Sequence, residues 1–125
     1  MNSDLPRRGV ANPSVIDLIT PEAESGEVVL VVLEDREWSD APERLKQLED
    51  KLNAYFVYVL DGFLVRQYPR YEGRGVRIRV ESSTPPAPGS RTAAMLTAAR
   101  NYAAANDLNF ELRPSAPEPE EIDAG

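Results

Sequence analysis

The chain has 125 residues, 42% hydrophobic and 28% charged, which suits one soluble domain with one core. It carries a net charge of −7 and has neither histidine nor cysteine. Those absences exclude Ser-His-Asp and Cys-His nucleophiles, imidazole acid–base catalysis, disulfides and zinc sites of the usual ligands.

Met1 to Pro13 is polar and broken by Pro6, Gly9 and Pro13, and it reads as a flexible arm. It has no apolar signal-peptide core, and no run of apolar residues is long enough to span a bilayer, so a cytoplasmic location without membrane attachment is expected. Val15 to Thr20 (VIDLIT) is a first short strand. A turn at Pro21–Gly26 leads to a second strand, Glu27 to Leu33 (EVVLVVL), the most apolar stretch of the chain. Its apolar run is continuous instead of alternating, so both faces need cover, and the pair is expected as an antiparallel hairpin.

Glu34 to Asp40 is an acidic linker, and the spacing after it predicts a helix over about 41–60. Leu45, Leu48, Leu52, Tyr55, Phe56 and Val59 keep one face of a 3.6-residue period. Asp40 is the expected N-cap, with Glu43 completing a capping box, Pro42 in the first turn and Gly62 closing the end. Ala54, Val57 and Tyr58 fall outside that face, among Lys46, Gln47 and Asp50, and form a second apolar stripe that needs a partner or another part of the chain.

Phe63 to Tyr68 (FLVRQY) reads as a third strand and Val76 to Ser82 as a fourth, joined by the glycine-bearing loop Pro69–Gly75. In the fourth, Val76, Ile78 and Val80 face inward and Arg77, Arg79 and Glu81 face water. Three prolines in 83–89 exclude regular structure there. Ser90 can cap an alanine-rich helix over about 91–105, ended by Asn106, and Asn109–Arg113 is a last short strand. Residues 114–125 read as an acidic, proline-rich disordered tail. The domain therefore spans 14–113, with element order ββαββαβ. The fold expected is an α+β two-layer sandwich, with a mostly antiparallel sheet of about five strands and two helices on one face.

Few residues carry chemistry. Glu34, Asp35, Glu37 and Asp40 could hold a hard cation through oxygen, but their spacing matches no calcium loop, so a solvated turn is expected. Trp38 reads as an anchor at the edge of the core. Arg66, Arg70, Arg74, Arg77 and Arg79, interleaved with Tyr68 and Tyr71, read as a charged hairpin that meets an acidic protein or simply stays solvated. Nucleic acid is disfavoured by the net charge.

The strings VIDLI, SGEVVLVVLEDREW (Ser25–Trp38), RLKQLEDKLNAYFVYVLDG (Arg44–Gly62) and YP (Tyr68, Pro69) resemble a bacterial family of small proteins of unknown function. The likeness covers about residues 13–113 and is strongest over 25–62. It implies the fold and brings no catalytic residue, cofactor or metal. The expected function is a non-enzymatic interaction module of the bacterial cytoplasm, of immunity, antidote or adaptor type. It would act as a homodimer or with an acidic protein partner through Val31, Ala54, Val57, Tyr58, Arg66, Arg77 and Arg79. The alternatives are a small carboxylate- or metal-dependent enzyme and, more weakly, an RNA-binding accessory protein.

Overall fold

Four strands and three α-helices form in the computed structural model, which describes residues 9–115. In chain order they are β1 (Leu18–Pro21), β2 (Val28–Glu34), α1 (Pro42–Leu60), α2 (Phe63–Gln67), β3 (Val76–Ser82), α3 (Arg91–Ala105) and β4 (Asn109–Pro114), with a 3-10 turn at Pro69–Tyr71. The sheet order is β1-β2-β3-β4. β1 is antiparallel to β2, whereas the β2–β3 and β3–β4 pairs are parallel. The α+β class and the first hairpin agree with the sequence; the strand count and the mostly antiparallel pairing do not.

One segment accounts for both differences. Phe63–Tyr68 was expected as a strand and folds as α2 running into the 3-10 turn. Gly62 is left-handed (φ 86°) and closes α1 as expected, but the chain re-enters a helix at once. Arg66 N–H donates to Gly62 O (3.0 Å) and Tyr68 N–H to Leu64 O (2.8 Å). Leu64 and Tyr71 are buried in the core by this path. A run this short has no periodicity to separate strand from helix. Removing one strand changes the parity of every pairing that follows. β2 now reaches β3 through helices alone, a crossover that makes parallel neighbours, and α3 repeats the arrangement between β3 and β4.

The inward residues of the sheet, Val28, Leu30, Val32, Val76, Ile78 and Val80, form one cluster with Leu48, Leu52, Tyr55 and Phe56 of α1 and with Leu96, Ala99 and Ala103 of α3. The helix ends are capped differently from expectation. Ala41 occupies the N-cap of α1 with no side-chain hydrogen bond, so the capping box of Asp40 and Glu43 does not form. Asp40 instead serves α3, alongside Ser90, which accepts from Ala93 N–H. Asp40 Oδ2 accepts from Arg91 N–H (3.0 Å), and Oδ1 from Thr92 N–H (3.0 Å) and Thr92 Oγ1 (2.8 Å). Donor N–H groups at a helix start favour the ionised carboxylate, and these bonds hold Asp40 below its ordinary pKa.

The opposite face of the sheet was expected to leave apolar strand surface for a partner. It does not. Val29 pairs in register with Arg77 and Val31 with Arg79, and Val31 is only 2% exposed. The two arginines are tied down over this face. Arg77 Nε lies 2.8 Å from Glu27 Oε1 and Arg79 Nε bonds Glu111 Oε2, with Glu22, Asn109 and Arg113 at the margin. The Arg77 hydrogen bond holds the Glu27 carboxyl below the usual range. Arginine stems can cover aliphatic surface while their heads pair with carboxylates. Val31 is thus internal, and Arg77 and Arg79 face carboxylates of their own chain.

Residues 9–13, assigned to the arm from sequence, are built into the fold. Val10 is buried and its N–H donates to Leu33 O (3.0 Å). This segment is held by a fully buried ion pair, Lys51 Nζ to Asp17 Oδ1 (2.8 Å). Lys51 also donates to Asn12 O and Val15 O, both at 2.7 Å. Asp17 accepts from Gly9 N–H and Leu33 N–H, both at 2.9 Å. Tyr55 Oη accepts from Asp17 N–H (2.8 Å) and donates to Val31 O. Burial pushes the Tyr55 phenol up, so it stays a donor. Residues 1–8 and 116–125, the outer parts of the expected arm and tail, lie outside the described residues.

Two predictions follow from these polar contacts. Lys51→Met should cost about 3–5 kcal/mol in urea unfolding, because it strands a buried carboxylate, and adding Asp17→Asn should restore part of the loss. Asp40 has a depressed folded pKa, so its contribution is complete above its unfolded value of 3.8 and is lost as pH falls through the lower folded value. The stability gap between wild type and Asp40→Asn should therefore narrow as pH falls below the unfolded value of 3.8. A gap that stays constant would show that Asp40 does not act through its charge.

Candidate functional site

Ala54, Val57 and Tyr58, the stripe that the periodicity of α1 leaves outside the core, line a groove on the described surface. The groove measures about 480 Å³. Phe63, Gln67 and Tyr68 of the α2 segment form one wall, and Pro13, Ser14 and Ile16 with Ile19 of β1 form the other. The placement follows from local structure. Gly62 turns the chain so that α2 lies beside the last turns of α1, and the Lys51–Asp17 pair holds residues 12–17 against the same helix.

The surface here is apolar and open. Val57 is 49% exposed and Phe63 46%, with Leu60 at the end of α1 39%; Leu18 (43%) is exposed on the other face of β1, where it pairs with Val31. Apart from Tyr102 on α3, these are the large apolar side chains that stand exposed among the described residues. β1 is also an edge strand, with no neighbour on its outer side among the described residues. Polar atoms in the groove largely satisfy each other: Tyr58 Oη donates to Gln67 Oε1 (2.5 Å), and Ser14 Oγ to Asn12 Oδ1 (2.6 Å). Partial burial raises the Tyr58 pKa, so its hydroxyl stays neutral.

Arginines stand at the rim. The Arg66 guanidinium lies 4.5 Å from the centre of the Phe63 ring and donates to Asp61 O (2.9 Å). Arg70 lies 5.3 Å from the Tyr68 ring and 4.8 Å from that of Tyr71. Arg74 donates to Gly26 O (2.7 Å). The expected charged hairpin is therefore divided. Arg66 and Arg70 stay by the groove, while Arg77 and Arg79 are drawn into ion pairs on the far face of the sheet.

Two of the four acids of the linker are spent on structure, while Asp35 and Glu37 stand exposed as expected. Glu34 is buried, not solvated as expected, and pairs with Arg36 (3.0 Å) and Arg44 (3.4 Å). Arg44 also donates to Glu37 O, and Asp40 caps α3. Trp38 packs at the core edge and donates from Nε1 to Thr84 O (2.8 Å). No group of three metal-competent side chains occurs among the described residues. No described helix is long and apolar enough to cross a membrane.

Sequence reasoning missed Lys51, Asp17 and α2. Lys51 did leave a signal: it lies three residues after Leu48 and four before Tyr55, on the core stripe itself. A lysine there requires a buried acceptor. Asp17, inside an otherwise apolar strand-like run, is the complementary irregularity.

The chain belongs to a family of unknown function, DUF6572, whose model matches residues 9–116. Its start coincides with Gly9, whose N–H bonds Asp17. No curated protein and no solved structure matches the chain.

A residue that faces water in the folded monomer tolerates polarity. Val57→Glu and Phe63→Ser should each change unfolding free energy by less than about 1 kcal/mol, whereas Leu52→Ala, in the core, should cost about 2–5 kcal/mol. Urea titrations of the three variants check this; losses at Val57 and Phe63 as large as that at Leu52 would place the groove inside the fold.

Proposed function

We propose that the chain is a non-enzymatic protein-interaction module of the bacterial cytoplasm, and that the groove between α1, α2 and β1 is its docking surface. The observation that carries this reading is the grouping of the exposed Val57 and Phe63 with Ala54, Tyr58, Ile16 and Ile19 along the groove. Apolar side chains grouped in this way mark an interaction surface. An edge strand beside them offers backbone hydrogen bonds to an incoming chain. Mutual pairing of Tyr58 with Gln67 leaves few convergent polar groups of the kind that orient a small substrate.

Catalysis finds less support. Of the linker carboxylates, Glu34 serves as an ion-pair partner and Asp40 as a helix cap, Asp35 and Glu37 stand exposed, and histidine and cysteine are absent from the chain. RNA binding finds less support too, because the arginines do not form one continuous basic stripe.

A photo-crosslinking residue in place of Val57, introduced in the native cell, should give a discrete protein adduct, either with a partner or with a second copy. The same residue in place of Thr97, exposed on α3, should not, and adding Phe63→Glu should remove the adduct. Identical adducts from both positions, or none from Val57, would refute docking at this groove.

A further inference from the structure

We infer that the occupant of the groove is an acidic segment of another protein, with apolar side chains seated between Val57, Phe63 and Ile19 and carboxylates set on Arg66 and Arg70. This rests on the docking reading above and adds the chemistry of the partner.

Charge distinguishes this corner of the molecule. The chain carries −7 overall, so a basic rim runs against its own average. Between Gly62 and Gly75 stand Arg66, Arg70 and Arg74, with Glu72 as the sole acid. Among the described residues neither Arg66 nor Arg70 has a carboxylate within ion-pair distance. Arg66 is held by the carbonyl oxygens of Asp61 (2.9 Å) and Gly62 (3.4 Å), and its guanidinium carbon lies over the Phe63 ring. Arg70 rests against Tyr68 and Tyr71. The contrast with the far face is direct, since Arg77 and Arg79 each find a carboxylate there. Both rim arginines touch aromatic rings, and Phe63 and Tyr68 are themselves walls of the groove. A guanidinium fixed this way is partly oriented and keeps donors for a carboxylate.

A second copy of the chain fits less well. Of the acids on α1, Asp50 is already engaged within the chain, with Lys46 (3.0 Å). A two-fold contact through this corner would also bring two sets of Arg66 and Arg70 together, and like charges facing one another disfavour association.

The test uses the full-length, isotope-labelled protein and three ten-residue peptides in which leucine alternates with glutamate, serine or lysine. The glutamate peptide should bind about tenfold more tightly than the serine peptide, with the lysine peptide weakest, and the preference should shrink as salt is added. Amide shifts should fall on residues 13–19, 54–58 and 63–70. In Arg66→Glu/Arg70→Glu the order of the glutamate and lysine peptides should reverse. Equal binding of all three peptides would overturn the acidic preference while leaving an apolar docking groove intact. Failure of the glutamate peptide to bind, with a wild-type dimer that Val57→Glu converts to monomer, would make the second copy the occupant and overturn the inference. Shifts confined to the far sheet face would overturn both this inference and the docking reading.

Discussion

The buried pair of Lys51 and Asp17 is the contact on which the rest of the molecule depends. Two charges taken out of water are tolerable only when every remaining lone pair and proton is used. Here Lys51 has three acceptors and Asp17 two backbone donors besides the ammonium. Those partners come from the N-terminal segment, β2 and α1, so one polar cluster sets the positions of three parts of the chain. Tyr55 extends it, joining Asp17 to Val31. Apolar packing alone would let α1 slide or rotate over the sheet. A hydrogen-bonded cluster admits one register, and the wall of the groove contributed by residues 13–16 follows from it.

Much of the architecture was legible because its signals are periodic. The stripe of Leu48, Leu52, Tyr55 and Phe56 marks α1, and the alternation of Val76, Ile78 and Val80 marks β3. Ser90 marks the start of α3, and the structure agrees on each. Phe63–Tyr68 failed because six residues hold less than two helical turns, and aromatic and β-branched residues favour strand by composition. Asp40 failed differently. Its distance from Pro42 makes it a good local cap, and only tertiary structure brings the N-terminus of α3 to it. Local rules cannot see a partner fifty residues away.

The candidate site divides in the same way. Ala54, Val57 and Tyr58 were legible as surplus because a helix buries one stripe, and the groove lies where they point. Val31 was misread because a strand apolar on both faces suggests a second layer. What lies opposite is a set of arginines and glutamates from β3, β4 and the first hairpin. Arg77 and Arg79 contribute length as well as charge, and the sequence shows only the charge. For the same reason, the five arginines of 66–79 look like one patch in the chain and are two separate sets in space.

The use of Asp40 by α3 bears on how the protein reaches this structure. Ser90 and Asp40 both supply acceptors to the first turn of α3, and one of them comes from ahead of α1. Thr92 adds bonds to Ser39 O and Asp40 Oδ1, so the linker and the helix start close on each other. Contacts of such long sequence separation form only after the intervening chain has been gathered, at the expense of loop entropy. The β-α-β unit from β2 to β3 supplies that gathering. In this order of events α3 and β4 assemble onto an existing template, and the carboxylate left by the linker is what the template presents to the arriving helix.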